Sequence, residues 1–137
     1  DLGVVPTIRR YVDSFKEKND IETELNIEGE ERRLESHREI MVFRSIQELM
    51  GHVRDYASAS RLAVRLDMTG QSIKIAIQDN GRGFDAEAIF NMEEAALDTR
   101  SLGLLTLKDR FEMMSGSVAI QSSENDGTLV RLELPAD

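Results

Sequence analysis

From residue 62 to residue 79, apolar side chains recur at every second position: Leu62, Val64, Leu66 and Met68, then Ile73, Ile75 and Ile77. A period of two commits both segments to strand, with one face buried and one wet. The link Thr69-Gly70-Gln71 is short, so an antiparallel hairpin is expected. The second run ends on a charge: Asp79 takes the next inward position, and Asn80-Gly81-Arg82-Gly83-Phe84 follows it. Thr128, Val130, Leu132 and Leu134 share a face in a later segment. A carboxylate and a hydroxyl therefore aim at the covered side of a sheet. An unpaired buried carboxylate is costly, so Asp79 needs a partner.

The rest of the chain supplies the cover. Residues 6 to about 18 read as a helix, with Pro6 in the first turn and Ile8, Tyr11, Val12 and Phe15 as its stripe. Ile21, Thr23, Leu25 and Ile27 alternate with polar residues as a strand, and a charged loop follows over 29–36. Residues 37 to about 58 form the longest predicted helix, roughly 33 Å at 1.5 Å per residue. Phe43, Ile46, Met50, Val53 and Ala57 are its apolar stripe; Arg44, Glu48, His52 and Asp55 are its polar one. Residues 85 to 102 have weak periodicity, part helix and part loop. A helix is expected over about 103–114, with Leu104, Leu107, Phe111 and Met114 inward and Gly116 just past its end. Strands over 118–122 and 128–134 close the chain. Helices on one face of a mixed, largely antiparallel sheet make a two-layer α+β sandwich.

Bulk properties narrow the function. At 137 residues the chain suits one domain with a real core. With no cysteine, disulfides, thiolate nucleophiles and cysteine-ligated zinc are excluded. No apolar run approaches the ~20 residues of a membrane span. A net charge of −9 argues against nucleic acid as the main partner. It leaves room for a small phosphate ligand held by backbone amides and a few local cations. The start at Asp1, without Met, reads as a fragment of something longer.

Three elements can carry chemistry, and each has a plainer explanation. Asp79, next to bare backbone at Gly81 and Gly83, suits the exocyclic amine of adenine, with Thr128 sharing the contact. A tight turn in which Asp79 and Asn80 cap local amides also accounts for that hexapeptide. Ser101-Leu102-Gly103-Leu104 at a helix start is an anion site, to which Arg100 and Lys108 could add charge; it is also an ordinary helix entry with a serine cap. Glu48 could orient a water or a metal-bound water; equally, Glu48 and His52 are an i,i+4 pair on a solvated face.

Order and spacing join the three. A helix with Gln47-Glu48, then D-N-G-R-G-F-D, then S-L-G-L-L-T-L-K-D-R, then S-G-S-V-A-I-Q-S and G-T-L-V-R-L-E-L-P, resembles the ATPase superfamily of gyrase, histidine kinases and mismatch-repair MutL. The opening D-L-G-V-V-P-T-I-R-R-Y is similar to the segment joining dimerisation helices to the catalytic domain. That subfamily partners response regulators with LuxR-type outputs, and the likeness points to the degradative-enzyme sensor kinases. The resemblance covers essentially the whole chain. It implies a Bergerat-type ATP-binding fold over 1–137, with 1–5 as the end of the linker. It implies a cytoplasmic kinase domain that transfers the γ-phosphoryl of ATP to a histidine on its own dimerisation helices.

Position by position, the resemblance gives Asp79 the adenine amine, Gly81 and Gly83 the pocket shape, and Thr128 an assisting role. Ser101, Leu102, Gly103 and Leu104 would cradle phosphates, residues 85 to 100 would be the ATP lid, and Glu48 would sit near the metal-bound water. There are departures. The family's Mg²⁺-ligating asparagine is His52 here, a poor ligand for a hard cation. The usual Lys-His pair is Asp55-Tyr56. Ser101 and Thr106 stand where glycines are frequent, and the threonine asks more of the backbone if that site needs positive φ. A nucleotide-binding regulatory module with little kinase activity is therefore an alternative, as is an anti-sigma-factor-type serine kinase. Neither His37-Arg38 nor His52-Val53 matches the acceptor signature of the family, so the acceptor is expected outside this fragment.

Overall fold

The structure, a computed structural model, describes residues 3–91 and 99–136, and the side chains of all of these except 89, 90, 91, 99 and 100. Its elements run α1 Val4–Lys18, β1 Glu22–Glu28, α2 Ser36–His52, a π-helical turn Val53–Ala57, β2 Arg61–Asp67, β3 Ser72–Asp79, α3 Ala86–Asn91, α4 Thr99–Met113, β4 Ser117–Ser122 and β5 Thr128–Pro135. The sheet order is β1-β2-β3-β5-β4. Only β1 and β2 pair in parallel; the other three pairings are antiparallel. A parallel pair needs a crossover, and α2 with its π turn provides it.

The period of two decides which sheet face is covered. Leu62, Val64, Leu66, Ile73, Ile75, Ile77, Val130, Leu132 and Leu134 are buried on one side. Glu24, Asn26, Arg65, Lys74, Gln78, Arg131 and Glu133 are exposed on the other. Against the apolar side pack Ile8, Val12 and Phe15 of α1, Val42, Ile46, Leu49 and Met50 of α2, and Leu104, Leu107 and Phe111 of α4. This is the two-layer α+β sandwich expected from the pattern.

Several details differ from the sequence reading. Helix α1 begins two residues before Pro6. Val4 and Val5, assigned to a linker end, are helical and only 4% exposed. On α2 the buried stripe includes Val42 and Leu49. Phe43 is rotated to the flank, where Tyr11 meets it edge-on at 5.8 Å between ring centres. The expected helix over 37–58 is regular only to His52, and its last turn is π-helical. The Ala57 carbonyl, at the helix end, accepts the N–H of Arg82 at 2.8 Å and so joins this turn to the glycine loop. Ser58 then leaves the helix at φ 52. Helix α4 is already formed at Thr99, the first residue described after 91, and not near Gly103.

Candidate functional site

At the end of β3, Asp79 faces inward as the alternation requires, and is 8% exposed. It pairs in register with Thr128 at the start of β5. Its Oδ1 accepts the N–H of Gly81 at 2.8 Å. Asn80 turns the other way: its Oδ1 accepts the amides of Ser60 at 3.0 Å and Arg61 at 2.8 Å, tying the loop to β2. Capping by Asp79 and Asn80 and an inward carboxylate therefore coexist.

Both loop glycines are close-approach positions. A Cβ on Gly81 would run into the Ala57 carbonyl. One on Gly83 would strike the Ser123 carbonyl and stand 2.7 Å from the Gly127 carbonyl oxygen. No larger residue lets the loop lie so close against both the π turn and the β4–β5 turn. A small cavity beneath the loop is lined by Asp79, Thr128, Ile77, Phe84, Leu104 and His52, among others. Its volume is about 30 Å³, room for water but not for a purine.

The sequence reading missed Ser122. Its Oγ accepts the Phe84 N–H at 2.9 Å and lies 2.7 Å from Thr128 Oγ1 and 3.1 Å from the Gly127 carbonyl. One hydroxyl thus ties the glycine loop to both ends of the β4–β5 turn. Its only local trace is a serine at a strand end. Arg82 was also missed as a contributor: it lines the cavity, and its Nε donates to the Tyr56 carbonyl at 3.2 Å.

The helix-entry residues lie deeper in α4 than expected. Ser101 is helical and 7% exposed, and Leu102 is exposed. All four residues expected at a helix start, Ser101 to Leu104, are helical, with described helix already preceding them at Thr99. Thr106 is helical and not at positive φ, so its side chain imposes no backbone strain; its hydroxyl donates to the Leu102 carbonyl. Lys108 donates to Glu112 at 2.8 Å, one turn on. Of the stretch 85 to 100 expected as a lid, Ala86–Asn91 is helix α3 and 99–100 belong to α4, while residues 92–98 and the Arg100 side chain lie outside the described residues.

Gly103 brings α4 against α2. A Cβ there would lie 3.1 Å from Glu48 Oε1 and 3.6 Å from His52 Nε2. The three expected elements therefore do converge: Glu48 and His52 at this contact, Leu104 and His52 at the cavity wall, Asp79 and Thr128 at its floor. His52 also meets Tyr56 edge-on at 6.1 Å, and Asp55 pairs with Arg54 at 2.8 Å. The Arg54 hydrogen bond holds the Asp55 carboxyl below its ordinary pKa. Among the described residues no group of three or more His, Cys, Asp or Glu is placed to hold a metal ion. Glu48 and His52 offer one carboxylate and one imidazole. That set does not fit a dedicated site for Mg²⁺, which demands oxygen ligands in a near-ideal octahedron.

Residues 37–137 match the family described as histidine kinase-, DNA gyrase B-, and HSP90-like ATPase. The chain is 33% identical over 135 residues to the signal transduction histidine-protein kinase/phosphatase DegS of Brevibacillus brevis, covering 98% of this chain and 33% of that protein. It is 30% identical over 138 residues to DegS of Bacillus subtilis, covering 98% and 34%. The chain thus spans about a third of the length of these curated relatives. Among solved structures, the catalytic domain of the histidine kinase ThkA superposes with a TM-score of 0.75 at 17% identity, covering 97% of this chain and 93% of that one.

Proposed function

The chain belongs to the family of histidine kinase-, DNA gyrase B- and HSP90-like ATPases, and from that premise we propose that it binds ATP as the catalytic domain of a sensor histidine kinase. The single observation behind the reading is the Asp79 carboxylate, 8% exposed, in register with Thr128 and beside the bare backbone of Gly81. An acceptor-only group in a pocket lined mostly by apolar side chains suits a purine amine. A purine is larger than the cavity, so entry requires its walls, Phe84 and Leu104 among them, to give.

The phosphates then run toward the N-terminal end of α4, near Ser101 and Leu102, where the helix dipole favours anions. Glu48 lies at that end and orients the groups that meet the γ-phosphoryl. Transfer goes to a histidine on a dimerisation helix, by positioning and electrostatic stabilisation more than by covalent chemistry. Relay proceeds to a response regulator with a LuxR-type output. The domain works in the cytoplasm; no helix among the described residues is long and apolar enough to cross a membrane. Residues 1–137 act as one catalytic domain.

Asp79→Asn tests the reading. The amide oxygen can still accept the Gly81 N–H, so the fold survives. The purine amine loses a charge-assisted hydrogen bond, and ATP affinity should drop about tenfold or more. Unchanged ATP affinity in a folded variant sinks the assignment.

A second reading is a nucleotide-binding regulatory module with little kinase activity. It is favoured by His52 beside Glu48 and by the Arg54–Asp55 pair, which puts an anion where the family has a cation. Adding back the preceding helices and measuring acid-labile phosphohistidine separates the two. An anti-sigma-factor-type serine kinase would instead phosphorylate a serine on a partner protein.

A further inference from the structure

A serine hydroxyl has a single proton to give, and the neighbours of Ser122 decide where it goes. Its Oγ lies 2.9 Å from the Phe84 nitrogen, 3.1 Å from the Gly127 carbonyl oxygen and 2.7 Å from Thr128 Oγ1. The Phe84 amide can only donate, and the Gly127 carbonyl can only accept. All of these contacts are made together in one way: Ser122 gives its proton to Gly127 and accepts from both Phe84 and Thr128. The opposite polarity, with Ser122 donating to Thr128, leaves the Gly127 contact without a proton. Thr128 therefore spends its own proton on Ser122. Thr128 lines the cavity with Asp79, and Ser122 does not, so that proton is committed behind the cavity wall. The Thr128 oxygen has only lone pairs left to offer a ligand.

We propose that Ser122 is a positioning residue: it fixes the Thr128 hydroxyl as an acceptor, so that the pocket takes a purine with an amine at C6 and rejects one with an oxo group. This rests on the ATP-binding reading. The Asp79 carboxylate is acceptor-only, and Thr128 stands across from it in register. An amine can donate to such a pair, whereas a C6 carbonyl would face lone pairs on both. Without Ser122, the Thr128 hydroxyl can turn its proton toward that carbonyl. Ser122 thus selects the base through Thr128 without touching it.

The 137-residue chain is titrated with ATP and with inosine triphosphate, in which an oxo group and an N1 proton replace the amine. The ratio of the two dissociation constants is read, because a change in phosphate binding acts on both nucleotides alike. Ser122→Ala should reduce the preference for ATP about tenfold, the worth of one hydrogen bond. The same substitution on a Thr128→Val background should leave the ratio where it was, since the hydroxyl it would release is gone. Thr128→Val alone preserves the Ser122 contacts with Phe84 and Gly127, and with them the glycine loop. It should weaken ATP and leave inosine triphosphate no weaker, which tests the polarity whether or not Ser122→Ala folds. The proposal is overturned by an unchanged ratio in Ser122→Ala, or by an equal drop on the Thr128→Val background, which would mark Ser122 as a loop anchor only. A greater loss of inosine triphosphate than of ATP in Thr128→Val also overturns it. In each of these cases ATP binding by the native chain, weakened by Asp79→Asn, keeps the nucleotide reading. A native chain that binds neither nucleotide overturns both.

Discussion

Replacing Gly103 by alanine sets two effects against each other. Gly103 lies inside α4 and is not at positive φ, so alanine fits the backbone. Removing the conformational freedom of an interior helical glycine stabilises by about 0.4–1 kcal/mol. Against this stands one tight contact, 3.1 Å from the new Cβ to Glu48 Oε1; the His52 ring atoms at 3.5 and 3.6 Å are in ordinary contact. The carboxylate is the free end of a flexible side chain, and moving it a few tenths of an ångström costs about 0.5 kcal/mol. The net is a gain of up to roughly 0.5 kcal/mol, or about 1–2 °C in Tm for a chain of this size. The binding site should lose what the fold gains. The methyl group covers the spot where Glu48 and His52 converge and displaces the carboxylate. ATP affinity should then fall about tenfold, given how steeply misplacement costs at a phosphoryl site. Thermal melting by circular dichroism and an ATP titration read the two effects separately. A Tm several degrees lower refutes the claim that the carboxylate can yield. Undiminished ATP affinity refutes the claim that phosphate approaches this point.

Gly83→Ala should behave oppositely, because besides the Ser122 hydroxyl its Cβ would meet backbone carbonyls of Ser123 and Gly127, which cannot swing aside. A loss on the order of 3 kcal/mol is expected, visible as a fall in the denaturation midpoint, and an unchanged midpoint would show that the loop lies less tightly than described. Glu39, 8% exposed at the start of α2, accepts from Arg33 at 3.0 Å and from the Leu34 N–H at 3.2 Å. The Arg33 hydrogen bond, foremost, holds its carboxyl below the ordinary value of 4.5. A depressed folded pKa means that this stabilisation is complete above about pH 4.5 and disappears as pH falls through the lower folded value. Glu39→Gln should therefore lower Tm at pH 7 and flatten the acid side of the stability profile; parallel profiles for the two proteins would contradict it.

The strand alternation was enough to turn Asp79 inward and place it on the face that holds Val130 and Leu132, because side-chain direction in a strand is a local property of the backbone. The same holds for the apolar stripes of α1 and α4, and the sheet class follows from their order. The order and spacing of Glu48, the glycine loop and the Ser101–Leu104 segment pointed to the family. Local pattern did not reveal what those residues press against. That Gly81 is required by the Ala57 carbonyl and Gly83 by the β4–β5 turn, and that Gly103 faces Glu48, is set by chain segments far apart in sequence. Ser122 is a bridge only because β4 and the glycine loop arrive side by side. No residue within 53–57 announces the π turn after His52, whose last carbonyl is taken by the Arg82 amide from the glycine loop. Periodicity is written along one segment; the meeting of two segments is determined only when the core has packed.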